Sequence, residues 1–249
     1  MGILKEMPTP FTHLLISHRL LNDRALSQKT RRLITAHPSD FLLGGIIADA
    51  RPAGGKRADT HFYHYTEPMP DNPWREMFRH YPSLRQPLST QHHAFLAGYV
   101  AHLAVDEYWS RYMLKPHFAD SDWGEDKNDR FFSLHLLLIH MDERDEKALE
   151  SAIPSRLRQS QAHHWLPFLT DSEICEWRDF IARQLETESQ TLPVLGKRIQ
   201  TSVADLRRIM DDTRKMQSRV WDNIAPSVLA HIEAEMYTFA QEQVEIYLA

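Results

Sequence analysis

Residues 98–112 read GYVAHLAVDEYWSRY, and the spacing within them decides the fold. An α-helix advances about 100° per residue, so His102 and Asp106, four apart, stand one above the other on one face. Phe95, Leu96, Tyr99, Val100, Leu103 and Val105 surround the pair and make the helix apolar nearly all round, the pattern of a buried helix. An uncompensated carboxylate there costs several kcal/mol, a large share of the roughly 5–15 kcal/mol by which a domain is stable. Two things can compensate it: a hydrogen bond from His102, or a metal ion bound by both side chains. The spacing alone leaves both open.

Working outward, Thr9-Pro10 reads as a helix start, with an N-cap hydroxyl before proline at the first helical position. The following FTHLLISHRLLND is apolar on most sides and carries His13 and His18. HPSDFLLGGIIADA fits a helix from near Ser39 or a buried strand, and its helical neighbours favour the helix. ARPAGGKRADT is a loop by composition, and THFYHYTEPMPDNPW, with three prolines late in it, is expected to be irregular. The long helix is expected from about Ser89 to Lys115, with Pro116 as its stop. After the polar ADSDWGEDKND comes a helical run, RFFSLHLLLIHMDERDEKALE, ended by Pro154. Thr170 and Glu173 form a capping box before EICEWRDFIARQLE. Two more helices are expected, Leu192 to Met216 and Pro226 to the C-terminus. The fold class is all-α, and residues 1–249 read as a single multi-helix domain.

Composition narrows the chemistry. Fifteen histidines stand against a single cysteine, Cys175, which excludes a disulfide framework and a thiolate zinc site. Any metal chemistry would use nitrogen and oxygen ligands, the set that suits zinc among others. The net charge of −5 and the dispersed basic residues do not suggest a nucleic-acid-binding surface. No window approaches 18 uninterrupted apolar residues, so no transmembrane segment is expected. MGILKEMPTPFTH lacks a signal-like apolar core, and the expected location is cytoplasmic.

Four pieces now fall in order: TH at 12–13, FLLGGIIAD at 41–49, HF at 61–62, and GYVAHLAVD at 98–106. In that order they resemble the zinc-dependent phospholipase C family, which shares its helical fold with the S1/P1-type nucleases. MPTPFTH, from Met7, also looks like that family's own beginning. The resemblance implies zinc held by His13, Asp49, His61, His102 and Asp106. It further implies that Asp106 bridges to a second ion, that His13 helps hold it, and that Asp49 is the general-base candidate. It implies a hydrolase, a phosphoesterase acting on a phosphodiester or phospholipid through zinc-activated water. The three-zinc members carry a further His-x3-Glu, which follows neither His135 nor His140; the one occurrence is His231/Glu235, far down the chain. One or two ions are therefore expected.

The remaining histidines read more simply. His18 is expected as a core or capping residue, His64 as a solvent-facing loop residue, and His92 and His93 as helix-opening residues. His135 and His140, five apart, do not share a helical face, so at most one of them can join a common site, and His117 stands outside the pattern. Gly98 is expected to leave room beside the His102/Asp106 pair. A helical phosphohydrolase with an adjacent His-Asp pair is excluded because no such dipeptide occurs, and a di-iron bundle because no Glu-x-x-His does. The rival reading is a helical protein that keeps the fold for binding or structure without catalysis.

Overall fold

The computed structural model describes residues 7–52, 54–64, 69–187 and 189–249. Among these the regular structure is helical, without strands. Helices α1 (Pro10–Leu21), α2 (Gln28–Ala36) and α3 (Pro38–Ile47) lead to a short turn of helix, α4 (Ala58–His61), and then α5 (Pro73–His80). α6 (Thr90–Trp109), α7 (Lys127–Ala148), α8 (Ile153–Gln159) and α9 (Asp171–Glu186) follow. The chain ends in α10 (Thr191–Arg198), α11 (Val203–Met210), α12 (Thr213–Met216) and α13 (Pro226–Leu248).

α6 is the axle. From Ala94 to Trp109 all but one of its residues are buried, as its all-round apolar sequence requires. α3 lies along one side and α13 along another, while α1 packs against α3 and α7. What lets α3 and α6 meet so closely is glycine. A Cβ on Gly44 would overlap the Phe95 carbonyl, and one on Gly98 the Phe41 carbonyl, so the two backbones touch where those residues cross. Gly98 thus serves the helix crossing rather than making room beside the site, which corrects the expectation drawn from its position. Thr12, the first half of the TH pair, donates its hydroxyl to Asp145 at 2.7 Å and ties α1 to α7.

Several expected boundaries move, each for a local reason. Within residues 37–50, Pro38–Ile47 resolves as helix, entered through Pro38 at its first turn. Pro116 does not stop the long helix. Beyond Trp109 the turns widen, and the helical path continues over Ser110–Ala119 with Pro116 inside it. Pro154 opens α8 instead of ending α7, which closes at Ala148. The expected helix over 192–216 is three short ones, because Ser202 and Asp212 each cap a new start and Gln200 takes a left-handed turn between the first two. Thr9 stands at the N-cap of α1 in extended backbone but makes no capping hydrogen bond. The capping box at Thr170 and Glu173 is present with both of its bonds. Of the stretch expected to be irregular, residues 65–68 lie outside the described residues; His61 closes α4, and α5 begins at Pro73. No helix among the described residues is long and apolar enough to cross a membrane.

Candidate metal centre

The five residues singled out in the sequence converge. His13 comes from the first turn of α1, Asp49 from just past the end of α3, His61 from the last residue of α4, and His102 and Asp106 from the C-terminal half of α6. His13 Nε2 stands 3.4 Å from Asp106 Oδ1, and His61 Nε2 stands 3.4 Å from Asp106 Oδ2 and 3.5 Å from Asp49 Oδ1. His102 Nε2 is 3.8 Å from Asp106 Oδ2, too long for the hydrogen bond within the helix that the spacing had allowed. The imidazoles of His13 and His102 stack with centroids 3.7 Å apart. His13, His61, His102 and Asp106 are almost wholly buried, while Asp49 keeps 12% of its side chain exposed.

Backbone carbonyls decide which way the imidazoles face. His102 Nδ1 is 2.9 Å from the Gly45 carbonyl, a contact that the glycine crossing of α3 and α6 permits. A carbonyl only accepts, so Nδ1 carries the proton and Nε2 turns its lone pair toward the carboxylates. His61 repeats the device on the carbonyl of Arg57, 3.1 Å away. Two further bonds hold the loop that carries His61: Thr60 donates its hydroxyl to the Ala48 carbonyl at 2.7 Å, and Tyr99 donates to the Thr60 carbonyl at 2.6 Å. The first draws together the two chain segments that present Asp49 and His61.

The donor set suits a cation. Among the described residues, Nε2 of His13, His61 and His102 and Oδ1 of Asp106 make no hydrogen bond, although all are buried. Lone pairs aimed at carboxylate oxygens repel unless a positive charge lies among them. Donors about 2.0–2.1 Å from one tetrahedral zinc stand roughly 3.3–3.4 Å from one another. Three of the separations above, 3.4, 3.4 and 3.5 Å, lie at or within about 0.1 Å of that length. Two overlapping triads, His13–Asp49–His102 and His61–His102–Asp106, bring ligand atoms within 4.8 Å of one another.

One neighbour was not read from the sequence. Arg57 reaches both carboxylates, Nη1 to Asp49 Oδ1 at 2.7 Å and Nη2 to Asp106 Oδ2 at 2.5 Å. Its position four residues before His61, on the same helical turn, was the available signal. Tyr63 adds a longer hydroxyl contact to Asp106, at 3.4 Å. Burial by itself would raise both carboxyls; Arg57 and the nearby imidazoles overcome it and hold Asp49 and Asp106 below the ordinary carboxylate range. Burial pushes His102 down to about 3, helped by His13, and lowers His61, helped by Arg57, so both are neutral near pH 7.

The other histidines stand elsewhere. His18 meets Glu150 at 3.1 Å, His92 stacks on Trp165, and His140 lies edge-on to Trp221. His135 is buried against the Phe131 carbonyl, His93 is partly buried against Tyr247, and His64 is exposed. His117 is partly buried in the wide-turned segment after α6.

Beside the centre opens a cavity of about 540 Å³. Asp49 and Arg57 line it, Arg51 and Arg198 add positive charge, and Leu138, Trp177, Phe180, Ile181 and Leu195 supply apolar wall.

A family model described as zinc dependent phospholipase C matches residues 12–169. Comparison with curated proteins and with solved structures returns no match.

Proposed function

The chain belongs to the zinc-dependent phospholipase C family, and from that premise we propose that it hydrolyses a phosphodiester carrying an apolar group, a phospholipid or a similar amphiphile. It is a zinc-dependent, phospholipase C-like hydrolase in general terms; the reaction and substrate class are our reading. The observation that carries it is the meeting of three buried imidazoles, whose Nε2 atoms have no hydrogen bond, with two carboxylates, one of which, Asp49, also lines an amphiphilic cavity.

His13, Asp49, His61, His102 and Asp106 would hold one or two zinc ions. Zinc bound there supplies a Lewis acid and brings the pKa of water near 7. Asp106 presents its two oxygens to different imidazoles, Oδ1 to His13 and Oδ2 to His61, an arrangement that suits a bridging carboxylate. Asp49 is the carboxylate that lines the cavity, and its position there would let it take a proton from the attacking water. Arg51 faces the same space and favours an anionic phosphoryl group. The apolar wall accepts the hydrocarbon part and excludes water from it.

That wall also bears on the extent of the functional unit. Trp177, Phe180 and Leu195 lie beyond the family-matched residues yet line the cavity with Asp49. We take residues 1–249 as one working domain on this ground. The test is zinc content by elemental analysis, with turnover of a short-chain phosphatidyl ester and of an aryl phosphodiester. At least one zinc equivalent and chelator-sensitive release of phosphorylated headgroup are expected. A protein that retains zinc but turns over neither substrate is a non-catalytic member of the fold.

A further inference from the structure

Asp49 Oδ1 and Asp106 Oδ2 have two claimants. These are the oxygens that stand 3.5 and 3.4 Å from His61 Nε2, at the separation of ligands to one metal. They are also the two oxygens that accept from the Arg57 guanidinium, at 2.7 and 2.5 Å. We propose that Arg57 and the metal compete for these oxygens, so that the guanidinium is an internal counter-cation which the incoming metal displaces into the cavity.

Charge and space both support the exchange. The two carboxylates that Arg57 bridges, set against its one guanidinium, leave this cluster of three groups one charge negative. Adding a divalent ion while Arg57 stays makes it one charge positive. Adding the ion while Arg57 leaves makes it neutral, the cheapest state for a buried cluster in which like charges repel strongly. Arg57 has somewhere to go. It lines the cavity of about 540 Å³, and its side chain is 14% exposed where Asp106 is fully buried. Asp49 is the one acidic side chain among the described residues that line that cavity, so the displaced guanidinium would join Arg51 and Arg198 in a positively charged wall suited to an anionic ligand. The backbone need not follow, because the Arg57 carbonyl keeps its own partner, His61 Nδ1, at 3.1 Å.

The proposal rests on the metal centre assigned above, and the experiment separates the two. Full-length protein is stripped with chelator, and zinc affinity is measured by competition with a chromophoric chelator for wild type and Arg57→Gln. Removing the competitor should tighten zinc binding at least tenfold. The stripped variant should also melt below stripped wild type, because its carboxylates lose their counter-charge. Zinc affinity in Arg57→Gln equal to or weaker than wild type overturns the proposal and leaves the metal centre standing. Failure of wild type to bind zinc overturns both. If Arg57→Gln does not fold, a crystal structure of zinc-loaded wild type decides the matter. The guanidinium off both carboxylates is the expected result, and both hydrogen bonds retained beside bound zinc overturns it.

Discussion

His102 and Asp106, one turn apart on α6, stand 3.8 Å from each other at their nearest nitrogen and oxygen, so the pair is not compensated by its own hydrogen bond. Each side chain is aimed by something outside the helix: His102 by the Gly45 carbonyl, Asp106 by Arg57 and Tyr63. Asp106→Asn keeps the shape and removes the charge. If Asp106 ligates zinc, metal content should fall and phosphodiester turnover drop by at least about 10–100-fold, the loss seen even when groups behind a ligand are disturbed. Unchanged zinc stoichiometry and turnover would return the residue to a structural role. The same residues give the chelator-stripped protein a pH signature. In the unfolded chain His102 titrates near 6.5, whereas burial holds it at about 3 in the native protein. Between those values the unfolded state binds a proton that the native state does not, so stability falls as pH falls. The loss should reach about 3 kcal/mol by pH 4, and His61, shifted the same way, adds to it. Below pH 4 the carboxyls of Asp49 and Asp106, held low by Arg57, contribute a further loss as the unfolded state takes up their protons first. Denaturant melts at constant ionic strength read this directly, and a flat profile from pH 7 to 4 would show that the buried imidazoles are protonated in the native state.

The decisive element contact is the crossing of α3 and α6. Gly44 and Gly98 bring the two backbones together, and that closeness puts the Gly45 carbonyl within reach of His102 Nδ1. Helix packing and ligand orientation are therefore one feature. A methyl group at Gly98 meets the Phe41 carbonyl, which belongs to a helix backbone and cannot rotate away. Gly98→Ala should cost about 1–3 kcal/mol, the usual range for overpacking. It should also weaken zinc binding, because separating the helices lengthens the bond that orients His102. Thermal melts with a parallel zinc titration check both outcomes. A destabilised protein with wild-type zinc affinity would show that the crossing and the centre are independent.

Across the whole molecule, the centre draws on α1, α4, α6 and the segment just past α3, while the cavity beside it is finished by α7, α9 and α10. The candidate ligands and the aromatic part of the wall, Trp177 and Phe180, thus come from different halves of the chain, and they can be perturbed separately. Phe180, on α9, lines the cavity and is none of the five candidate ligands. Phe180→Ala should leave zinc stoichiometry unchanged. It should lower kcat/KM on a long-chain phospholipid by about tenfold or more, the order of a lost apolar side-chain contact, and barely change turnover of a small aryl phosphodiester. Equal losses on both substrates would place Phe180 in general scaffolding and remove the cavity from substrate selection.

The helical class, the buried axle and the five residues that meet were legible in the chain because each depends on local order. Periodicity makes α6 buried, an i, i+4 spacing puts His102 and Asp106 on one face, and four short pieces in a fixed order carry the family resemblance. Proline was harder to read, since Pro116 sits inside widened turns and Pro154 starts a helix; a missing N–H forbids some partners without choosing the alternative. Arg57 was out of reach for a related reason. A loop arginine is ordinarily solvated, and nothing within residues 50–60 says that its guanidinium will meet Asp49 from the end of α3 and Asp106 from the last turn of α6. The task of Gly98 was likewise hidden, because a glycine on a helix reveals that something comes close but not what. Sequence order determined which groups could bind a metal. Only the tertiary structure decided which way they face, which cation shares their oxygens and where a substrate can lie, because those depend on contacts between segments far apart in the chain.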